Sequence, residues 1–169
     1  MATPTTVSTF SPDTTRVYQE GIIAGILGAI TIALWFLVVD VAQGRPLYTP
    51  TVLGTALFGR GAWPGTLESM PPSFEMVAMF TWVHLLAFAV IGVAVSRLIA
   101  MAEQHPGLGF GFVLLFVILT ACFTAAAMIV ATPVLRALTL PSILVANLLA
   151  AAVMAGYFWL RHPKMAIRP

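Results

Sequence analysis

Charge is absent from four stretches of the chain, and those stretches set its architecture. Residues 21–39, 76–96, 107–131 and 138–160 are uncharged and mostly apolar, each bounded by charged residues or proline. A helix rises about 1.5 Å per residue, so about 20 such residues cross the roughly 30 Å of a bilayer's hydrocarbon. Four runs of that length predict four transmembrane helices, at about 21–40, 75–98, 107–131 and 138–160. The fold class is all-α: a polytopic four-transmembrane-helix bundle, its membrane domain running over residues 16–162.

Punctuation agrees with these limits. Ser73 can accept from the exposed amides that open span two, and Glu75 places negative charge in its first turn. Pro141 suits the first turn of span four, and Pro163 stops it near Arg161 and His162. The longest connection, 44–72, begins with a cap and first-turn pair, Thr49–Pro50. The apolar octapeptide from Thr51 to Phe58, closed by Gly59, predicts a short interfacial helix over 50–58, with a folded-back lid as the alternative. Trp63, Pro64, Pro71 and Pro72 suit a loop at headgroup level.

Composition shows which solvent this pattern requires. Of 169 residues, 60% are apolar and 8% charged, with a mean hydropathy of +0.98. A soluble domain carries roughly a quarter charged residues, so lipid is part of this chain's solvent. Residues 1–15, rich in Thr, Ser and Pro, read as a flexible polar tail, and 163–169 as a basic one. The first 15 residues hold no Lys or Arg, and the apolar run after them exceeds a signal peptide's core, so span one is expected to stay attached. Arg16, Arg97, Arg161, Lys164 and Arg168 fall on the side of the termini; Arg45, Arg60 and Arg136 fall on the other. The excess of basic residues predicts a multi-pass protein with both termini cytoplasmic. A net charge of +2, widely dispersed, excludes a nucleic-acid surface and leaves the bilayer as the principal partner.

An offset of 63 sets His84-Leu-Leu-Ala-Phe-Ala-Val over Asn147-Leu-Leu-Ala-Ala-Ala-Val, with five of seven positions identical. Gly21 and Gly25 match Gly107 and Gly111 in spacing. Both features suggest an internal repeat, a two-helix hairpin duplicated in parallel. Small residues every four positions, Gly21–Gly25–Ala29 and Ala152–Gly156 among them, predict closely packed helices.

Few residues can carry chemistry. His84 lies well inside span two, on a face with Phe80, Thr81, Ala87, Phe88 and Gly92 that is expected to meet other helices. Its structural reading is an interhelical hydrogen bond, with Asn147, Thr120 or Thr124 as partners. Its sharper reading is a haem or quinone site with His84 as ligand, completed by a second copy or by a methionine such as Met128 or Met154. At the outer interface Asp40 and Glu75 are expected to meet water and to pair with Arg45, Arg60 or Arg136, as anchors or as a charged entrance. Cys122, alone in mid-span, reads as a packing thiol. No phosphate loop, metal-ligand spacing or nucleophile motif occurs, so neither catalytic residues nor a metal are expected.

Ala24-Gly25-Ile-Leu-Gly28-Ala29, the proline-containing loop that follows, Trp82-Val-His84 and the stretch from Gly107 to Pro133 resemble uncharacterised bacterial four-helix membrane proteins of the YagU-like group. The resemblance covers the four spans and implies a bacterial inner (cytoplasmic) membrane. It departs at Asn147, where a second histidine is expected. Three functions follow in order of expectation: a non-enzymatic subunit or accessory protein working with other membrane subunits or as a homo-oligomer, a small oligomeric transporter or channel, and a haem- or quinone-binding subunit using His84.

Overall fold

The computed structural model describes residues 14–59, 70–104 and 140–162, which form four helices. They are α1 (Thr14–Ala42), α2 (Tyr48–Phe58), α3 (Phe74–Gln104) and α4 (Leu140–Arg161). Three are long and apolar enough to cross a membrane, over Thr14–Ala42, Phe74–Met101 and Pro141–Arg161. These match expected spans one, two and four. Expected span three, with Thr120, Cys122, Thr124 and Met128, lies outside the described residues, as do Arg60, Arg136 and most of both tails.

Helix α1 begins well before its apolar run, inside the segment read as a flexible tail. Arg16 and Glu20 are four apart, and the Arg16 Nε donates to Glu20 Oε1 at 2.9 Å, a pair that extends the helix towards the N-terminus. Helix α3 starts as its sequence suggests: Ser73 Oγ accepts from the Met76 amide at 3.4 Å, and Glu75 lies in the first turn.

Helix α1 is the hub on which α3 and α4 pack. Its small residues Gly21, Ala24, Gly25, Gly28 and Ala29 are all buried. A Cβ on Gly21 would lie 2.5 Å from Val93 Cα, and one on Gly25 would collide with the Phe88 carbonyl. Gly92 meets the Gly21 carbonyl in the same way, so the two backbones touch where no side chain intervenes. On the other flank Met154 and Phe158 of α4 close on Ala24, with Phe88, Val95, Ile99 and Tyr157 packed around them. The Ala152–Gly156 pair departs from expectation. Both residues are exposed, and a Cβ on Gly156 would meet nothing within 4 Å, because α4 turns Ala146, Ala150, Met154 and Phe158 towards α1 instead.

Outward faces are apolar, with Trp82 and Trp159 72% and 71% exposed. Such faces are costly in water and matched in lipid.

The chain turns between α1 and α2 through Gly44 at φ 70° and Leu47 at φ 65°. A left-handed leucine costs roughly 1–2 kcal/mol, so contacts beyond the turn must hold it. They come from α2, which packs on the start of α3 through Thr51, Val52, Gly54 and Thr55. Thr51 Oγ1 accepts from the Ser73 amide at 3.3 Å. Helix α2 begins two residues before the expected 50–58, and Thr49 serves a different purpose from the expected cap.

Candidate functional site

Polar side chains in and around the three long helices form a sequence of contacts from one end of the bundle to the other. At the end carrying α2, Asp40 is 2% exposed, which corrects the expectation that it meets water. Its Oδ2 accepts from the Thr49 amide and its Oδ1 from the Thr49 hydroxyl, both at 2.7 Å. Leu47, at the N-cap of α2, offers no side-chain acceptor, so the Asp40 carboxylate takes an otherwise unpaired amide and sits at the positive end of the helix.

The expected outer ion pairs do not form among the described residues. Arg45 Nη2 donates to Gln43 Oε1 at 2.9 Å, and its guanidinium stacks on Tyr48, 4.2 Å from the ring centre. Only the Arg45 backbone reaches Asp40, its amide donating to the Asp40 carbonyl at 2.9 Å. Glu75 is exposed. The compact left-handed turn explains this, since it brings Thr49 onto the carboxylate ahead of any long side chain.

One turn further in, Trp35 Nε1 donates to the Ser142 carbonyl in the first turn of α4, at 3.1 Å. Near mid-bundle, His84 Nε2 lies 3.3 Å from the Ala29 carbonyl. A carbonyl only accepts, so Nε2 carries the proton. The imidazole sits between Phe80, stacked at 5.5 Å between ring centres, and Phe88, tilted at 4.8 Å. Phe80, Phe88 and Gly92 thus share an inward face with His84, whereas Thr81 and Ala87 are exposed.

Asn147 is exposed and does not meet His84, whose partner is backbone. The His84 geometry fits haem ligation poorly. The proton-bearing Nε2 is committed to a backbone carbonyl, and the Met154 sulfur is buried between α4 and Gly28. No cluster of three metal-ligating side chains occurs among the described residues.

The opposite end carries groups that the sequence pattern did not single out. Ser96 Oγ donates to the Val17 carbonyl at 2.8 Å, joining α3 to α1. Glu20 is 4% exposed and accepts from Arg16 on one oxygen and from His162 Nε2 on the other, at 3.1 Å, joining α1 to the end of α4. Arg97 stacks on Tyr18, 4.6 Å from the ring centre, and donates from Nη2 to its hydroxyl. Arg161 Nε donates to the Tyr157 hydroxyl at 3.4 Å with its guanidinium over the same ring. The signal for Glu20 was its spacing from Arg16; nothing in the sequence places His162 beside it.

No family model matches the chain, and neither a curated protein nor a solved structure matches it. The described helices are those of a membrane protein.

Proposed function

We propose that the chain is a four-span protein of the bacterial inner membrane, both termini cytoplasmic, acting as a non-enzymatic subunit or accessory protein. The use of its polar groups carries this reading. Asp40, Trp35, His84, Ser96 and Glu20 each bond a neighbouring segment, so these polar groups serve to hold the described helices together. The outward apolar faces leave broad surface for lipid or for another membrane polypeptide. The small-residue run of span one and the Trp82–His84 segment support kinship with the YagU-like group. The hairpin repeat belongs to the same proposal, with span three supplying the fourth helix.

The test is to purify the chain from its native membrane in mild detergent, record its absorbance and weigh it by native mass spectrometry. A colourless complex with a second membrane polypeptide at fixed stoichiometry is expected. A homo-oligomer that moves solute in proteoliposomes, or a Soret band lost in His84→Ala, would overturn the reading.

A further inference from the structure

The chain contains three tyrosines, and an arginine guanidinium lies over the ring of each. The pairs divide unequally between the two ends of the bundle. Arg45–Tyr48 stands alone at one end, with Tyr48 only 6% exposed and the Arg45 Nη2 spent on Gln43. Arg97–Tyr18 and Arg161–Tyr157 stand together at the other, where Arg97 and Arg161 are exposed and Tyr18 is 41% exposed.

Separation along the helices sets both levels relative to a membrane. From Tyr18 to Asp40 is 22 residues of α1. At about 1.5 Å each that spans about 33 Å, close to the hydrocarbon thickness. Thr49 bonds Asp40, which holds the neighbouring Tyr48 near the second level. Each Arg–Tyr level therefore falls at headgroup depth, where amphipathic aromatic rings and long cations are favoured.

We propose that the end carrying Tyr18 and Tyr157 binds the phosphodiester headgroups of anionic phospholipid. In each pair one guanidinium nitrogen donates to the phenol oxygen. That contact and the stacked ring fix the guanidinium plane, and four of its five N–H groups remain for a phosphate. Because the phenol oxygen accepts from arginine, its own O–H remains a donor. Charge favours the same ligand: among the described side chains at this end the acidic one, Glu20, is buried, ion-paired with Arg16 and hydrogen-bonded to His162. The guanidiniums of Arg97 and Arg161 then present positive charge to the leaflet. Among the described residues at the Arg45 end, the guanidinium is shared with Gln43 beside a buried tyrosine, so the described Arg–Tyr sites open to a headgroup lie at the Tyr18 end.

Native mass spectrometry of the full chain tests this, with phosphatidylglycerol, phosphatidylcholine or inorganic phosphate added to detergent-purified protein. The wild type is expected to retain phosphatidylglycerol in preference to phosphatidylcholine, less so as salt rises, and to be unchanged by inorganic phosphate. An arginine near an anionic surface contributes about fivefold in affinity, so Arg97→Gln and Arg161→Gln are each expected to weaken retention about fivefold. Arg45→Gln is expected to leave it unchanged. Equal retention of the two lipids by the wild type overturns the proposal without requiring any variant to fold. Wild-type retention in the Arg97→Gln/Arg161→Gln protein overturns it too. Competition by inorganic phosphate at equal concentration overturns the lipid assignment in favour of a free-anion site.

Discussion

Replacing Gly21 with alanine tests the central contact of the fold. The added methyl would stand 2.5 Å from Val93 Cα and 2.8 Å from the Gly92 carbonyl oxygen, both backbone atoms that cannot rotate aside. Restoring ordinary contact separates α1 from α3 by about 1 Å, and overpacking of this kind costs about 1–3 kcal/mol. The Ser96–Val17 bond crosses the same interface one turn away and lengthens with it, adding about 0.6 kcal/mol. Alanine regains up to about 1 kcal/mol of helix propensity. The net loss is then about 1–3 kcal/mol. Gly156→Ala adds the same methyl where nothing lies within 4 Å, so it is expected to be neutral or slightly stabilising. Reversible unfolding in mixed micelles, followed by tryptophan fluorescence, measures both. A Gly21→Ala midpoint equal to that of the wild type refutes the close backbone approach, and a Gly156→Ala loss equal to that of Gly21→Ala refutes the assignment of faces on α4.

Asp40→Ala leaves the Thr49 amide and hydroxyl without their acceptor, a loss of about 2–4 kcal/mol, whereas Asp40→Asn keeps one acceptor and recovers at least half. The unfolding midpoint and protease cleavage between α1 and α3 report it, and equal behaviour of the two variants counts against the carboxylate's role. Trp35→Phe removes only the bond to Ser142 and is expected to cost about 0.6 kcal/mol. A loss above about 2 kcal/mol in the same assay would show that the indole is doing more than tying α1 to α4. Glu20→Gln and His162→Ala are expected to be non-additive by at least about 0.5 kcal/mol in a double-mutant cycle. Strict additivity would mean that the two side chains do not meet.

Helix positions were legible because hydrocarbon imposes a length on any charge-free run: α1 and α3 contain expected spans one and two, and α4 covers span four from Leu140 onward. The packed face of α1 was legible as well, since Gly21, Gly25 and Ala29 announce close approach on their own. The facing side of α4 was not. Ala152–Gly156 has the same spacing as Gly21–Gly25, yet α4 packs through Ala146, Ala150, Met154 and Phe158, since a small-residue ladder states that a face can pack and leaves open whether it does. Candidate polar residues were recognised more readily than their partners. His84 and Asp40 stood out by type and depth, but their partners are the Ala29 carbonyl and Thr49, and a backbone carbonyl leaves no mark in sequence. Asp40 was read as solvated because counting residues along one helix gives depth and takes no account of α2 folding over the end. Glu20 escaped attention because it borders the apolar run, and its second partner, His162, is 142 residues away.

The bond from Trp35 to Ser142 spans 107 residues of chain, and that from His162 to Glu20 spans 142. At roughly 5–20 residues per second, a ribosome needs about 5–30 s to supply either partner after α1 has emerged. Throughout that interval the Trp35 indole N–H lacks its Ser142 acceptor and Glu20 lacks its His162 donor, so α1 holds its full set of described bonds only after α4 has been made. Arrival of α4 ends it. Helix α4 is therefore the element that completes the side-chain bonds described for α1.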